Sequence, residues 1–132
     1  MTRYRPTVVE VDLEAIAHNV RLLRPPGAGL MAVVKADGYG HGDAEVAKAA
    51  LEAGASGLGV SLVEEGLGLR DRGIDATILV LAEFPPGSEK EALERGLTPT
   101  VYTDEGMAGV AEAARALGRP AGVHLKLDTG MH

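Results

Sequence analysis

The first pattern in this chain able to do chemistry is a lysine at the end of a buried apolar run with glycines behind it. Leu30-Met31-Ala32-Val33-Val34 is continuous and apolar, and Lys35 is the first charge after it. Next comes Ala36-Asp37-Gly38-Tyr39-Gly40-His41-Gly42, whose three glycines allow a tight backbone beside a helix start. An amine at such a place is partly desolvated, which disfavours the ammonium and frees the neutral form to act as nucleophile or base. Schiff-base chemistry requires that form. The glycines and the Tyr39 hydroxyl at a helix N-terminus also suit a phosphate, because free amides there stabilise anions. On spacing alone, the same residues equally describe a lysine snorkelling at a strand end and glycines that only turn the chain.

A second pattern lies near the other end. Val123, Leu125 and Leu127 alternate with His124, Lys126 and Asp128, so a strand there has one apolar and one polar face. In a barrel the apolar face meets the helix layer, and Lys126 and Asp128 point inward near the mouth. In an open sheet the same alternation is a solvated face. His41 reads as a hydrogen-bonding residue at the helix start, and His18 as exposed. The four histidines show no metal-ligand spacing, and no metal is expected. Glu64, Glu65 and the stretch from Glu89 to Glu94 read as solvated helix faces.

The elements that must position these residues alternate regularly. Thr7 to Val11 is a short β-branched run, followed by Asp12 as N-cap of a helix with the stripe Leu13, Ile16, Ala17, Val20 and Leu23, ended by Pro25-Pro26-Gly27. Strands are expected at Leu30–Val34, Leu58–Val60, Thr77–Leu81, Leu97–Tyr102 and Val123–Leu127. Helices are expected between them, opening at Gly42-Asp43, at a capping box of Ser61 with Glu64, at another of Ser88 with Glu91, and at Thr103. Glycines 54, 73, 96 and 118 end those helices and recur at about the length of one strand-plus-helix unit. The expected class is α/β: about five units forming the N-terminal part of a (β/α)8 TIM-type barrel, which needs roughly 250 residues. A five-stranded flavodoxin-like sheet is the alternative. The fifth strand has no helix after it, an edge that native domains avoid, which favours the longer barrel.

Composition narrows the function. The 13 Lys+Arg against 19 Asp+Glu give a formal charge of −6, which argues against nucleic-acid or anionic-membrane partners. There is no cysteine, so disulfides and thiolate catalysis are excluded and a cytoplasmic location fits. No apolar run approaches the roughly 20 residues of a membrane span.

The wording of the motifs goes further than their spacing. Ala32-Val33-Val34-Lys35-Ala36-Asp37-Gly38-Tyr39-Gly40-His41-Gly42 closely resembles the pyridoxal-phosphate motif of alanine racemases. Leu125-Lys126-Leu127-Asp128-Thr129-Gly130-Met131 resembles a second signature of that family, and the opening from Arg5-Pro6-Thr7 to Asn19 resembles its start. The resemblance implies that residues 1–132 are part of the N-terminal barrel domain, without the C-terminal β domain. It implies that Lys35 carries pyridoxal 5'-phosphate covalently and serves as one of two bases, and that Tyr39 hydrogen-bonds the cofactor phosphate. Lys126 matches a lysine carbamylated in many members, where it orients a neighbouring arginine. The implied activity is interconversion of L- and D-alanine for peptidoglycan synthesis by a cytoplasmic homodimer whose second base comes from the partner subunit. This stretch alone is expected to be inactive. Two positions depart from the family pattern: Gly38 stands where Ala is usual, and His132 where a small residue or Asn is usual. A racemase of different amino-acid specificity, a non-catalytic cofactor-binding barrel and a self-contained flavodoxin-like binding domain are the alternatives.

Overall fold

The computed structural model describes residues 7–130; the expectations that touch Arg5, Pro6, Met131 and His132 lie outside the described residues. The chain runs α1 (Leu13–Leu23), β1 (Met31–Val33), α2 (Lys35–Gly40), α3 (Asp43–Glu52), β2 (Gly57–Val60), α4 (Val63–Asp71), β3 (Thr77–Val80), α5 (Glu89–Glu94), β4 (Leu97–Val101), α6 (Asp104–Ala116) and β5 (His124–Leu125). The apolar runs become strands, with β2 to β4 largely buried but Met31 and Val33 of β1 exposed where a covered strand was expected; α1 and α6 start at their expected caps. The Asp12 carboxylate accepts from Ala15 N–H at 3.0 Å, and Thr103 Oγ1 accepts from Gly106 N–H at 3.0 Å. Helices α3 to α6 stop before Gly54, Gly73, Gly96 and Gly118, all at positive φ.

Every strand pairing is parallel and the sheet order is β1-β2-β3-β4-β5. A flavodoxin-like sheet would place the second strand at the edge, outside the first. Sequential parallel order is that of a barrel wall, and the fold is the N-terminal part of a TIM-type barrel.

The pleat separates two faces. Leu58, Val60, Ile78, Val80, Leu97 and Val101 are fully buried under the helices, each contributing about 1.5–3 kcal/mol by leaving water. On the opposite face Gly57 and Gly59 lie against Met31 and Val33. The α1 stripe is only half used. Ala17 and Val20 pack on Ala50, Ala53 and Ala55, whereas Leu13 and Leu23 stay exposed.

Three sequence expectations are corrected. The Ser61–Glu64 box shifts by one residue: Leu62 is the N-cap of α4, and the Glu65 carboxylate reaches back to it. At α5, Ser88 is the N-cap residue but its side chain makes no capping bond; its Oγ–H donates to the Pro85 carbonyl at 2.7 Å instead. The fifth strand spans His124–Leu125 only, shorter than the expected Val123–Leu127, and Val123, Leu125 and Leu127 are exposed.

Candidate active site

Lys35 follows β1 at the C-terminal end of the sheet and opens an unusual segment. Ala36, Asp37, Gly38 and Tyr39 all have φ between 52° and 60° and ψ between 37° and 53°, a single turn of left-handed helix. Three of the four are not glycine, and each such residue costs roughly 1–2 kcal/mol in this region. A turn of that kind persists only where its surroundings over-determine it. Gly38 N–H donates to Val34 C=O at 3.0 Å and Gly42 N–H to Asp37 C=O at 2.9 Å. His41 Nδ1 lies 3.1 Å from the carbonyl oxygens of both Gly38 and Tyr39, so an Nδ1–H holds the inner rim of the turn. That placement agrees with a hydrogen-bonding role for His41.

Two carboxylates fix the turn, Asp37 from within it and Glu65 from outside. Asp37 Oδ1 accepts from Asp43 N–H at 3.1 Å, joining the turn to the first residue of α3. Glu65 Oε1 accepts from Ala36 N–H at 2.7 Å, while its Oε2 takes Ser61 N–H at 2.7 Å and Leu62 N–H at 3.0 Å. Glu65 is therefore no solvated face residue, as its sequence position suggested. Gly38 is buried, and a Cβ there would stand 3.3–3.4 Å from Val46 and the Asp43 backbone. The turn leaves the Lys35 Nζ 5.9 Å from the centroid of the Tyr39 ring, a cation–π separation, with Tyr39 61% exposed.

The second lysine sits at the other edge of the sheet. Lys126 N–H donates to Val101 C=O at 3.0 Å, continuing the β4–β5 ladder, and Lys126 Nζ lies 5.3 Å from the Tyr102 ring centroid. Tyr102 is itself fixed by Glu83, which accepts from Tyr102 N–H at 2.5 Å, Thr103 N–H at 2.7 Å and Thr103 Oγ1–H at 2.8 Å. Burial pushes the Glu83 carboxyl up, but these three donors outweigh it and hold it below the usual carboxylate range. Each lysine thus faces a tyrosine ring beside a carboxylate-held backbone. Both lie at strand C-termini, with β1 and β5 four strand spacings of about 4.8 Å apart. In sequence, Glu83 is only a carboxylate just past a strand, with no signal of this role.

The donor set fits pyridoxal 5'-phosphate in part. Lys35 offers an amine at the strand end, and the exposed Tyr39 offers a phenol to a phosphate oxygen. The expected use of free amides at the helix start is corrected: Asp43 N–H is taken by Asp37 and Ala44 N–H by the Asp43 carboxylate at 2.7 Å.

Comparison with known proteins finds one family along nearly the whole chain. Residues 11–132 match the family described as alanine racemase, N-terminal domain. The chain is 46% identical to alanine racemase 1 of Oceanobacillus iheyensis over 99% of its own length and 36% of that protein. It is 51% identical to the alanine racemase of Symbiobacterium thermophilum, covering 96% of this chain and 34% of that one. Among solved structures, alanine racemase from Streptomyces coelicolor superposes with a TM-score of 0.86 at 47% identity, over 92% of this chain and 33% of that one. A histidine racemase from Leuconostoc mesenteroides superposes at 0.82 with 33% identity, over 90% of this chain and 32% of that one. The chain therefore spans about a third of the length of the relatives it matches, and over nearly all of its own length it belongs to the alanine racemase family, as part of that family's N-terminal domain.

Proposed function

We propose that this chain supplies the lysine-bearing wall of a pyridoxal-phosphate-dependent alanine racemase, with Lys35 as catalytic residue and cofactor attachment point and Tyr39 as phosphate ligand. The observation that carries this reading is the Lys35 amine at the C-terminal end of β1, next to Tyr39 on a left-handed turn held by Glu65, Asp37 and His41. When bound, the cofactor supplies an electrophilic carbon and a conjugated ring that accepts carbanion density from an amino acid. Lys35 Nζ, as a free amine, would take or return the α-proton on one face of the bound amino acid. The stiff turn limits where that amine can swing. Tyr39 Oη–H would donate to a phosphate oxygen of the cofactor and so help to hold it. Lys126 stands further off, beside Tyr102, as a supporting residue; in its carbamylated form it becomes an anion able to orient a cation.

The whole protein is proposed to be a cytoplasmic homodimer making D-alanine for peptidoglycan, with the second base supplied from beyond this segment. Consistent with that, no helix among the described residues is long and apolar enough to cross a membrane. The test is washout of the alanine α-proton in D2O by a polypeptide that joins this segment to the rest of a family-length chain. Exchange that disappears in Lys35→Ala supports the reading; exchange that survives refutes it. The likeness to a histidine racemase favours a second reading, the same chemistry on another amino acid, and a panel of amino acids in that assay separates the two.

A further inference from the structure

We propose that Glu65 is the positioning residue for Lys35, acting through the peptide bond between Lys35 and Ala36. The inference rests on the role proposed above for Lys35 but makes its own claim about this carboxylate. Ala36 is the first residue of the left-handed turn, and its N–H is the one that Glu65 Oε1 accepts at 2.7 Å. Holding that N–H fixes the plane of the peptide leaving Lys35, and with it the direction in which the lysine side chain departs from the end of β1. The other oxygen is anchored: Oε2 takes Ser61 N–H at 2.7 Å and Leu62 N–H at 3.0 Å, the residues just beyond β2 and at the N-cap of α4. One side chain thus clamps the loops of two neighbouring strands, whose register is set by Val33 opposite Gly59.

Only a carboxylate of this length performs both tasks. Three N–H donors converge on two oxygens, so every contact atom must accept. A glutamine presents one accepting oxygen and turns an NH2 toward the remaining donors; an aspartate is one methylene too short to span both loops. The position in the first turn of α4 also suits a negative charge. Glu64 is exposed and is the matched control.

The test needs no activity. In the unmodified chain, amide hydrogen exchange at Ala36 is expected to be protected although the residue is exposed on the surface. Glu65→Gln is expected to accelerate Ala36 exchange by about tenfold or more while Ile78 and Val80 in the core stay protected, and Glu64→Gln to change neither. Each protein is also treated with pyridoxal 5'-phosphate and borohydride, and the lysines are mapped by mass. The Lys35 share is expected to fall about tenfold in Glu65→Gln, with Lys48 and Lys90 unchanged and Glu65→Asp failing to restore it. An unprotected Ala36 in the unmodified chain, a result needing no variant to fold, overturns the inference. So does a folded Glu65→Gln with unchanged Ala36 exchange and Lys35 labelling. If the unmodified chain shows no preference for Lys35, the cofactor reading fails, and Ala36 exchange alone then decides the role of Glu65.

Discussion

Arg72 grips both carboxylate oxygens of Asp43, Nη1 on Oδ1 and Nη2 on Oδ2 at 2.9 Å, and so ties the end of α4 to the first residue of α3. The Asp43 side chain is 12% exposed and that of Arg72 48%, so the pair is half desolvated. Asp43 N–H in turn meets Asp37, which places Arg72 two contacts away from the lysine turn. Arg72→Ala leaves a nearly buried carboxylate with one ion-pair partner fewer, and is expected to cost about 1–3 kcal/mol by denaturant midpoint. In a double-mutant cycle with Asp43→Ala, most of that cost should vanish once the carboxylate is gone. A cycle energy near zero would mean that the pair is ornamental.

Gly38→Ala tests the left-handed turn. The φ of +60° and contacts of 3.3–3.4 Å to Val46 and the Asp43 backbone set strain against the lower entropy of the unfolded alanine chain. The expected net loss is about 1 kcal/mol, read from thermal unfolding. A variant more stable than the parent would show that the segment does not sit at positive φ.

Much of the fold was legible because its signals are local. The run Leu30–Val34 marks β1 by its apolar residues, although Met31 and Val33 stay exposed rather than covered, and Asp12 and Thr103 cap where their own side chains reach their own helices. The left-handed turn was not legible: Ala36, Asp37 and Tyr39 each prefer other regions, and the choice is made by Glu65 and Asp43, distant in sequence or bonded backward across the loop. Ser61-Leu62-Val63-Glu64-Glu65 offers two adjacent carboxylates, and the one that caps is the one that also finds Ala36. The position of Lys35 after β1 was readable from the apolar run, whereas its tyrosine neighbour at 5.9 Å depended on that same turn.

Glu83 makes stability depend on pH. Its carboxyl sits below the usual range in the folded chain, so the unfolded chain binds its proton more readily. Its contribution is fully present above the unfolded value of about 4.3 and is lost as pH falls below that value and through the lower folded one. Glu83→Gln is expected to flatten the acid limb of a stability-against-pH curve and to leave the neutral limb's slope unchanged. An identical acid limb in parent and variant would count against the hydrogen-bond set around Tyr102 and Thr103.

Arg70 staples the opposite end of the sheet. Its guanidinium donates to the carbonyls of Arg95 at 2.9 Å, Ile74 at 2.6 Å, Ala76 at 2.8 Å and Gly96 at 2.9 Å. Burial lowers its pKa, Asp75 pushes it back up, and Arg95 lowers it again. Arg70→Met is expected to destabilise by about 2–4 kcal/mol, since charge-assisted bonds to several carbonyls are lost together. Labelling of Lys35 by pyridoxal phosphate, at the far end of the strands, should be unaffected in the folded fraction.

The most direct measurement is reductive trapping of pyridoxal 5'-phosphate on the unmodified chain, followed by peptide mass mapping of its four lysines, Lys35, Lys48, Lys90 and Lys126. The expected result is label concentrated on Lys35, with the exposed Lys48 and Lys90 giving the background reactivity. Label spread evenly over all four would contradict a cofactor site built on the Lys35 turn.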